Sequence, residues 1–331
     1  MGAILLRSPR SRTLVTGTTH ASAKMTITIN GTLAYTIIKP SSAGVYVLFE
    51  YAELCRDYVE INWTGSYSGW SPQTNMVILT AISFWTGNNA GGTQVGSTNS
   101  STQYGLDGYS NFVQGANEDI ANNATLISNY TQTSGGTKTY TVYTPIGVGG
   151  TLPYLNTAGT ETLYQSYSTN ATSVTLGNSQ VINIERYHCN KYDFVTIDFV
   201  NKYGAIQREY FTLKSVEKIT AKRESYKRNT INSQGGYSVN EHNNQNFNTT
   251  AGQEYTVNSD YLPEYYNQVY TELLLSEKVW CYMKSFSTNS FTAVPVNITD
   301  SNLIYKTQVN DKLINFTFSF RMSFDYINNI R

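Results

Sequence analysis

Three histidines (His20, His188 and His242) and three cysteines (Cys55, Cys189 and Cys281) are the residues whose chemistry would first suggest an enzyme or a metal site. A thiol nucleophile needs a base within hydrogen-bond reach. His188 and Cys189 are adjacent, so on a strand they point to opposite faces and form no dyad. The chain has no Gly-x-Ser-x-Gly elbow, no His-Glu-x-x-His, no Cys-x-x-Cys and no EF-hand loop. Gly147-Val148-Gly149-Gly150 opens no helical pattern, so it does not read as a phosphate-binding turn. Asp107-Gly108 and Glu118-Asp119 sit in Asn-rich stretches whose oxygens suit Ca²⁺, but solvated turns are the simpler reading. Glycoside hydrolysis needs two facing carboxylates, and none of the 23 acidic residues is singled out by its context. The expectation is a non-enzymatic protein with no catalytic residues, no metal and no cofactor.

The segment from Lys214 to Arg228 is locally basic, with Lys214, Lys218, Lys222, Arg223, Lys227 and Arg228 against Glu217 and Glu224. Tyr210, Phe211 and Tyr226 lie nearby, a mixture that could stack on and neutralise single-stranded nucleic acid. The interleaved glutamates and a net charge of zero favour a charged strand edge or a contact to an acidic subunit instead. No nucleic-acid partner is expected.

Composition points toward assembly. Charged residues make up 14% of the 331 residues, well below the roughly 25% of an ordinary soluble domain. Ser, Thr, Asn, Gln and 27 Tyr fill the gap, which suits pleated sheets and turns. A neutral, charge-poor surface protects poorly against self-association, so part of it is expected to be covered by other chains. No apolar stretch approaches the roughly 18 residues of a membrane helix, and the N-terminal apolar run is too short for a secretory segment. The three scattered cysteines make no disulfide framework, which fits folding in a reducing cytoplasm.

The elements that must carry such contacts are mostly strands. Met25, Ile27 and Ile29 alternate with threonines, Asn30-Gly31 follows, and Leu33, Tyr35 and Ile37 resume the alternation. That is the strongest short-range hairpin signal. Val45 to Phe49 and Tyr58 to Trp63 read as strands, with one or two helical turns between Glu50 and Asp57. Met76 to Trp85 reads as a strand buried on both faces, the last of a first sandwich. Only five charges fall between Ile61 and Ile184: Asp107, Glu118, Asp119, Lys138 and Glu161. Asn201-Lys202-Tyr203-Gly204 looks like a turn between two strands, and Gly235 to Asn248 like a loop. Leu262, Tyr266, Val269 and Leu273 recur at helical spacing behind Asp260, a candidate N-cap. At the end, Ile314, Phe316, Phe318, Phe320, Met322 and Phe324 alternate with polar residues, one long strand whose aromatic face must be covered by a sheet, a helix or a neighbouring subunit.

The fold expected is mainly β: two β-sandwich-like domains joined by a loop-rich β region, with one amphipathic helix near 261–275. The regions are 1–90 with a basic N-terminal arm, a charge-poor Gly/Asn/Thr-rich stretch over 91–184, and 185–331 with the helix. Interface candidates are Arg7, Arg10, Arg12, Lys222, Arg223, Arg228, Phe316, Phe318, Phe320 and Arg321.

Four segments carry a resemblance: Leu6-Arg7-Ser8-Pro9-Arg10, the run Phe49 to Tyr58, the segment Ile197 to Ala205, and Asn310 to Phe318. Together they resemble virion structural proteins of tailed bacteriophages infecting Bacteroidetes-type hosts. The resemblance covers both ends, leaves the middle third unmatched, and brings no catalytic residues. It implies a β-rich subunit of a tail or baseplate ring or sleeve, made in the bacterial cytoplasm, whose partners are copies of itself and other virion proteins. An alternative is a receptor-binding or head-decoration module, with Trp63, Tyr67, Trp70 and Tyr104 as aromatic platforms for a glycan.

Overall fold

The computed structural model describes residues 2–42, 44–67, 76–114, 117–188, 193–284, 291–300 and 313–325. The fold is mostly β, 52% strand and 7% helical, with several sheets in a sandwich-like arrangement. Two compact units form: Met1–His188 with Asp198–Glu209 and Tyr265–Ser276, and Cys189–Ile197 with Tyr210–Glu264 and Glu277–Arg331.

In the first unit a six-stranded sheet runs in the order Thr32–Pro40, Ser22–Ile29, Val77–Trp85, Gln94–Leu106, Ala3–Leu5, Asp119–Ile120. The Asn-Gly hairpin forms as expected. Ile29 pairs with Thr32 across Asn30 and Gly31, and both take positive φ, 49° and 82°. Ala23, Met25, Ile27 and Ile29 turn inward and pack with Val47 and Phe49 of the Ser11–Val15/Tyr46–Glu50 pair and with Cys55 of the short helix α1 (Ala52–Arg56). Two expectations change here. Val77–Trp85 lies between two strands inside the sheet and alternates rather than burying both faces. Residues 58–63 form no strand, although Ile61 and Trp63 are buried. A second core lies between a four-stranded sheet and the Gly150–Leu155/Thr162–Tyr167 pair, and joins Tyr140, Val142, Ile182 and Ile184 to Leu152 and Tyr167.

The second helix, α2, spans Tyr266–Leu275, and Tyr266, Val269 and Leu273 are fully buried. It starts later than the spacing predicts, and Asp260 does not cap it. Pro263 pushes Leu262 into extended backbone, where Leu262–Pro263 pairs with Leu313–Ile314. Asp260 instead accepts the Tyr261 N–H at 2.7 Å.

Five strands of a seven-stranded sheet lie wholly in the second unit, in the order Val279–Lys284, Phe291–Ile298, Thr317–Met322, Asn244–Asn258, Val216–Lys227. The predicted final strand is interrupted: Leu313–Ile314 and Thr317–Met322 are separate. At the break the Ser259 hydroxyl accepts the Phe316 N–H at 2.8 Å. Ile314, Phe316, Phe318, Phe320 and Met322 are nonetheless all buried, and Phe324 is exposed. The segment read as a loop from Gly235 to Asn248 is partly strand, since Asn244 already pairs with Lys227.

Candidate functional site

The first place to look for chemistry is a buried polar network in the first unit. Asn201 sits in the turn Asn201-Lys202-Tyr203-Gly204. Its side chain accepts the N–H groups of Tyr203 and Ala205 at 3.0 and 3.1 Å and donates to the Leu126 carbonyl at 2.7 Å and to Gln207 at 3.1 Å. Gly204 closes the turn at φ 73°, and a Cβ there would stand 2.6 Å from the Asp107 backbone nitrogen. Gln207 donates to Asn129 at 2.8 Å and to Glu209 at 2.9 Å. Glu272 of α2 accepts the Lys202 N–H at 3.3 Å and the Gln268 amide at 3.0 Å.

Burial pushes the Glu209 carboxyl up to about 7, Gln207 and Asn129 pull it down, and Glu272 adds to the rise. Burial also raises Glu272, against the pull of Ser128 and Lys202. Perturbed carboxyls of this kind are found in active sites, but also in structural networks. Here both side chains are sealed, Glu209 at 3% exposure and Glu272 at 0%. Their hydrogen bonds are spent on the chain's own amides, so the arrangement holds a turn and a helix together and offers no acid to a substrate.

Of the remaining candidates for chemistry, His188 and His242 are exposed. His20 stacks on Phe84 at 4.3 Å and accepts the Gly17 N–H at Nδ1. Burial pushes the Cys55 thiol up to about 12, away from the reactive thiolate. Cys281 is buried and in no disulfide, and Cys189 lies outside the described residues. Asp107 is committed to a two-bond pair with Arg7, at 2.7 and 3.1 Å. Among the described residues no group of three or more His, Cys, Asp or Glu could hold a metal ion.

The interface candidates fall into three groups. Arg7, Arg10 and Arg12 are held by the first unit itself. Arg7 pairs with Asp107, Arg10 donates to the Glu118 carbonyl, and Arg12 donates to Thr80 and Asn99. Phe316, Phe318 and Phe320 are inside the second unit, where Phe318 meets Phe211 edge-on at 6.0 Å and Phe320 stacks on Tyr255 at 5.5 Å. Only Lys222, Arg223, Arg228 and Arg321 remain on the surface. The first two lie on the strand Val216–Lys227, Arg228 follows it, and Arg321 lines an open groove of about 500 Å³ at its base with Thr220, Gln253 and Glu254.

That strand and its partner form the feature sequence reasoning only partly found. Val216–Lys227 and Asn244–Asn258 pair along the whole of the first strand. All 12 residues of Val216–Lys227 are exposed. On its far side, among the described residues, Asn244–Asn258 pairs with Thr317–Met322 over Glu254–Asn258. From Asn244 to Gln253 the pair is a long β-ribbon with Val216–Lys227 as its outer strand. These ten residues extend about 34 Å at the antiparallel rise. Val216, Ile219, Tyr226 and Phe247 are about half exposed along it, and Tyr237 and Val239 in the connecting loop more so. The basic charges were legible in the sequence. The ribbon was not, because its Asn- and Thr-rich return strand carries no apolar alternation.

The aromatic residues read as a glycan platform are mostly inward. Tyr104 and Trp63 are buried, Trp63 packs on Tyr67 at 4.6 Å, and Trp70 lies outside the described residues. No family model matches this chain, and no curated protein or solved structure matches it.

Proposed function

We propose that this chain is a non-enzymatic structural subunit of a tailed-bacteriophage virion, in the tail or baseplate, that acts by lending its exposed ribbon to neighbouring protein chains. The observation that carries the assembly part of this reading is the strand Val216–Lys227, which ends the strand order of its sheet with all 12 residues exposed. An uncovered strand edge is a template for another chain. The virion assignment rests on the resemblance of the segments around Leu6, Phe49, Ile197 and Asn310. The sealed Glu209–Glu272 network and the raised Cys55 thiol support a role without catalysis. A receptor-binding or decoration role is the alternative, and specific binding on a glycan array would favour it.

The test removes the ribbon and leaves its root. Residues 219–253 are replaced by an Asn-Gly turn, which joins the paired residues Lys218 and Glu254, and the mass of the purified chain is measured alone and with the other virion proteins. The expected result is a folded chain that no longer assembles. Assembly equal to that of the intact protein would overturn the proposal.

A further inference from the structure

Given that the strand Val216–Lys227 is an assembly element, as proposed above, we infer that its partner is the same strand of a second copy of this chain: the two strands pair antiparallel about a two-fold axis at Ala221, so that Lys218 of each copy faces Glu224 of the other and the two sheets run on as one.

The outer side of this strand is where a further strand fits. Val216–Lys227 ends the strand order of its sheet, and all 12 of its residues are exposed. Its inner side is taken by Asn244–Asn258, from Val216 opposite Thr256 to Lys227 opposite Asn244. Alternate backbone N–H and C=O groups on the outer side point away from the sheet. The pair is irregular between Glu224 and Ser225, where the partners step from Asn248 to Asn246. The additional residue is thus on the return strand, and the outer strand keeps its alternation from end to end.

Symmetry restricts how two such strands can meet. A two-fold contact sets the same patch against itself. An axis perpendicular to the sheet leaves each face on its own side, so a residue meets only residues an even number of positions away. The same rule brings the outward N–H and C=O groups of the two copies opposite each other.

Charge then selects the centre, because like charges directly opposite are destabilising and opposite charges favourable. Centring on Thr220 sets Lys218 against Lys222 twice, and centring on Lys222, Arg223 or Glu224 sets that residue against its own copy. Centring on Ile219 makes no ion pair and overlaps only Val216 to Lys222. Centring on Ala221 overlaps Val216 to Tyr226, pairs Lys218 with Glu224 twice and opposes no like charges. It also sets Val216 against Tyr226 at both ends, two side chains that are each about half exposed. Lys218 has Glu254 at 3.9 Å across its own hairpin, and Glu224 accepts the Asn248 amide at 3.2 Å. An ammonium with three donors and a carboxylate with two oxygens each have capacity for a second neighbour.

The experiment uses the full chain. In a pair of identical copies, Lys218→Glu sets two carboxylates together at each contact, and Glu224→Lys sets two ammonium groups together. Sedimentation should show self-association of each variant weakened about tenfold or more, and association restored when the two variants are mixed in equal amounts, since the mixed pair has opposite charges at both contacts. Damage within the hairpin would not be repaired by mixing. In a Cys189→Ser background, Ala221→Cys should form a disulfide with its own copy on oxidation, because directly opposed Cα atoms lie about 4.5–5.5 Å apart, within disulfide reach. Thr220→Cys and Lys222→Cys should link to each other when mixed and poorly to themselves. Efficient self-linking of Lys222→Cys, or no gain on mixing the charge variants, would overturn the pairing at Ala221. Binding of this strand by other virion proteins alone would overturn the self-pairing and leave the assembly function standing. Failure of the intact chain to associate with anything would overturn both.

Discussion

Glu209 has no water to solvate its charge, and burial lifts its carboxyl from 4.5 to about 7. In the unfolded chain it titrates near its ordinary value. Between those two values the native state holds a proton that the unfolded state has lost, so this residue's contribution to stability falls as pH rises through that window and stays low above it. Glu209→Gln keeps the shape and removes the titration. The variant should melt higher than the parent at about pH 8 and close to it at about pH 4.5, which thermal melts at both pH values will check. Arg208 grips Asp198 by two bonds at 2.7 and 2.8 Å, and the Asp198 side chain is fully buried. Arg208→Ala removes both bonds from that buried carboxylate, and denaturant unfolding should show a loss of about 3–5 kcal/mol. Neither residue could be singled out from sequence, since Arg208 and Glu209 look like any polar pair on a strand until the turn at Asn201 folds the network over them.

At the scale of elements, the covered and uncovered strands should behave differently. Phe318 is buried against Phe211, so Phe318→Ala should cost about 3–5 kcal/mol by denaturant unfolding. The strand Val216–Lys227 ends its sheet's strand order and is exposed along its whole length. Its amides should exchange with solvent quickly in the lone chain and slowly in the assembly, and equal protection in both would argue against an intermolecular role. The sequence was most readable where one apolar face alternates with a polar one, as in Ser22–Ile29 with its Asn-Gly turn and in Phe316 to Met322. It misled where local chemistry outranked pattern. Pro263 kept Leu262 out of the helix, and Ser259 broke the terminal strand. The ribbon's return strand hid because its buried residues, Ala251 and Val257, stand among Asn, Gln and Thr with no apolar alternation.

For the whole molecule, the proposed assembly ties stability to concentration. If copies bind through native structure, mass action favours the folded state, so the melting temperature should rise with protein concentration, and the ribbon-deleted chain should lose that rise. Differential scanning calorimetry over a concentration series will show it. The mainly β class was legible from composition and alternation. What composition could not say is which aromatic and basic residues face outward. The arginines near the start and Phe316, Phe318 and Phe320 near the end are consumed inside the units, and the interface candidates left on the surface are Arg321 and those on or beside Val216–Lys227, in the segment read as a charged strand edge.

Ala3–Leu5 sits in the sheet between strands contributed about a hundred residues later: it lies parallel to Tyr104–Leu106 and antiparallel to Asp119–Ile120. On a ribosome this tripeptide emerges about a hundred residues ahead of both neighbours and must wait for them, so the sheet stays split until residue 120 is free of the exit tunnel. During that interval Ile4 and Leu5, fully enclosed at the end, are bare, and anything fused ahead of them has to leave that slot accessible. Bulky leading tags should therefore lower the soluble yield of this protein more than the same tags placed at the other terminus.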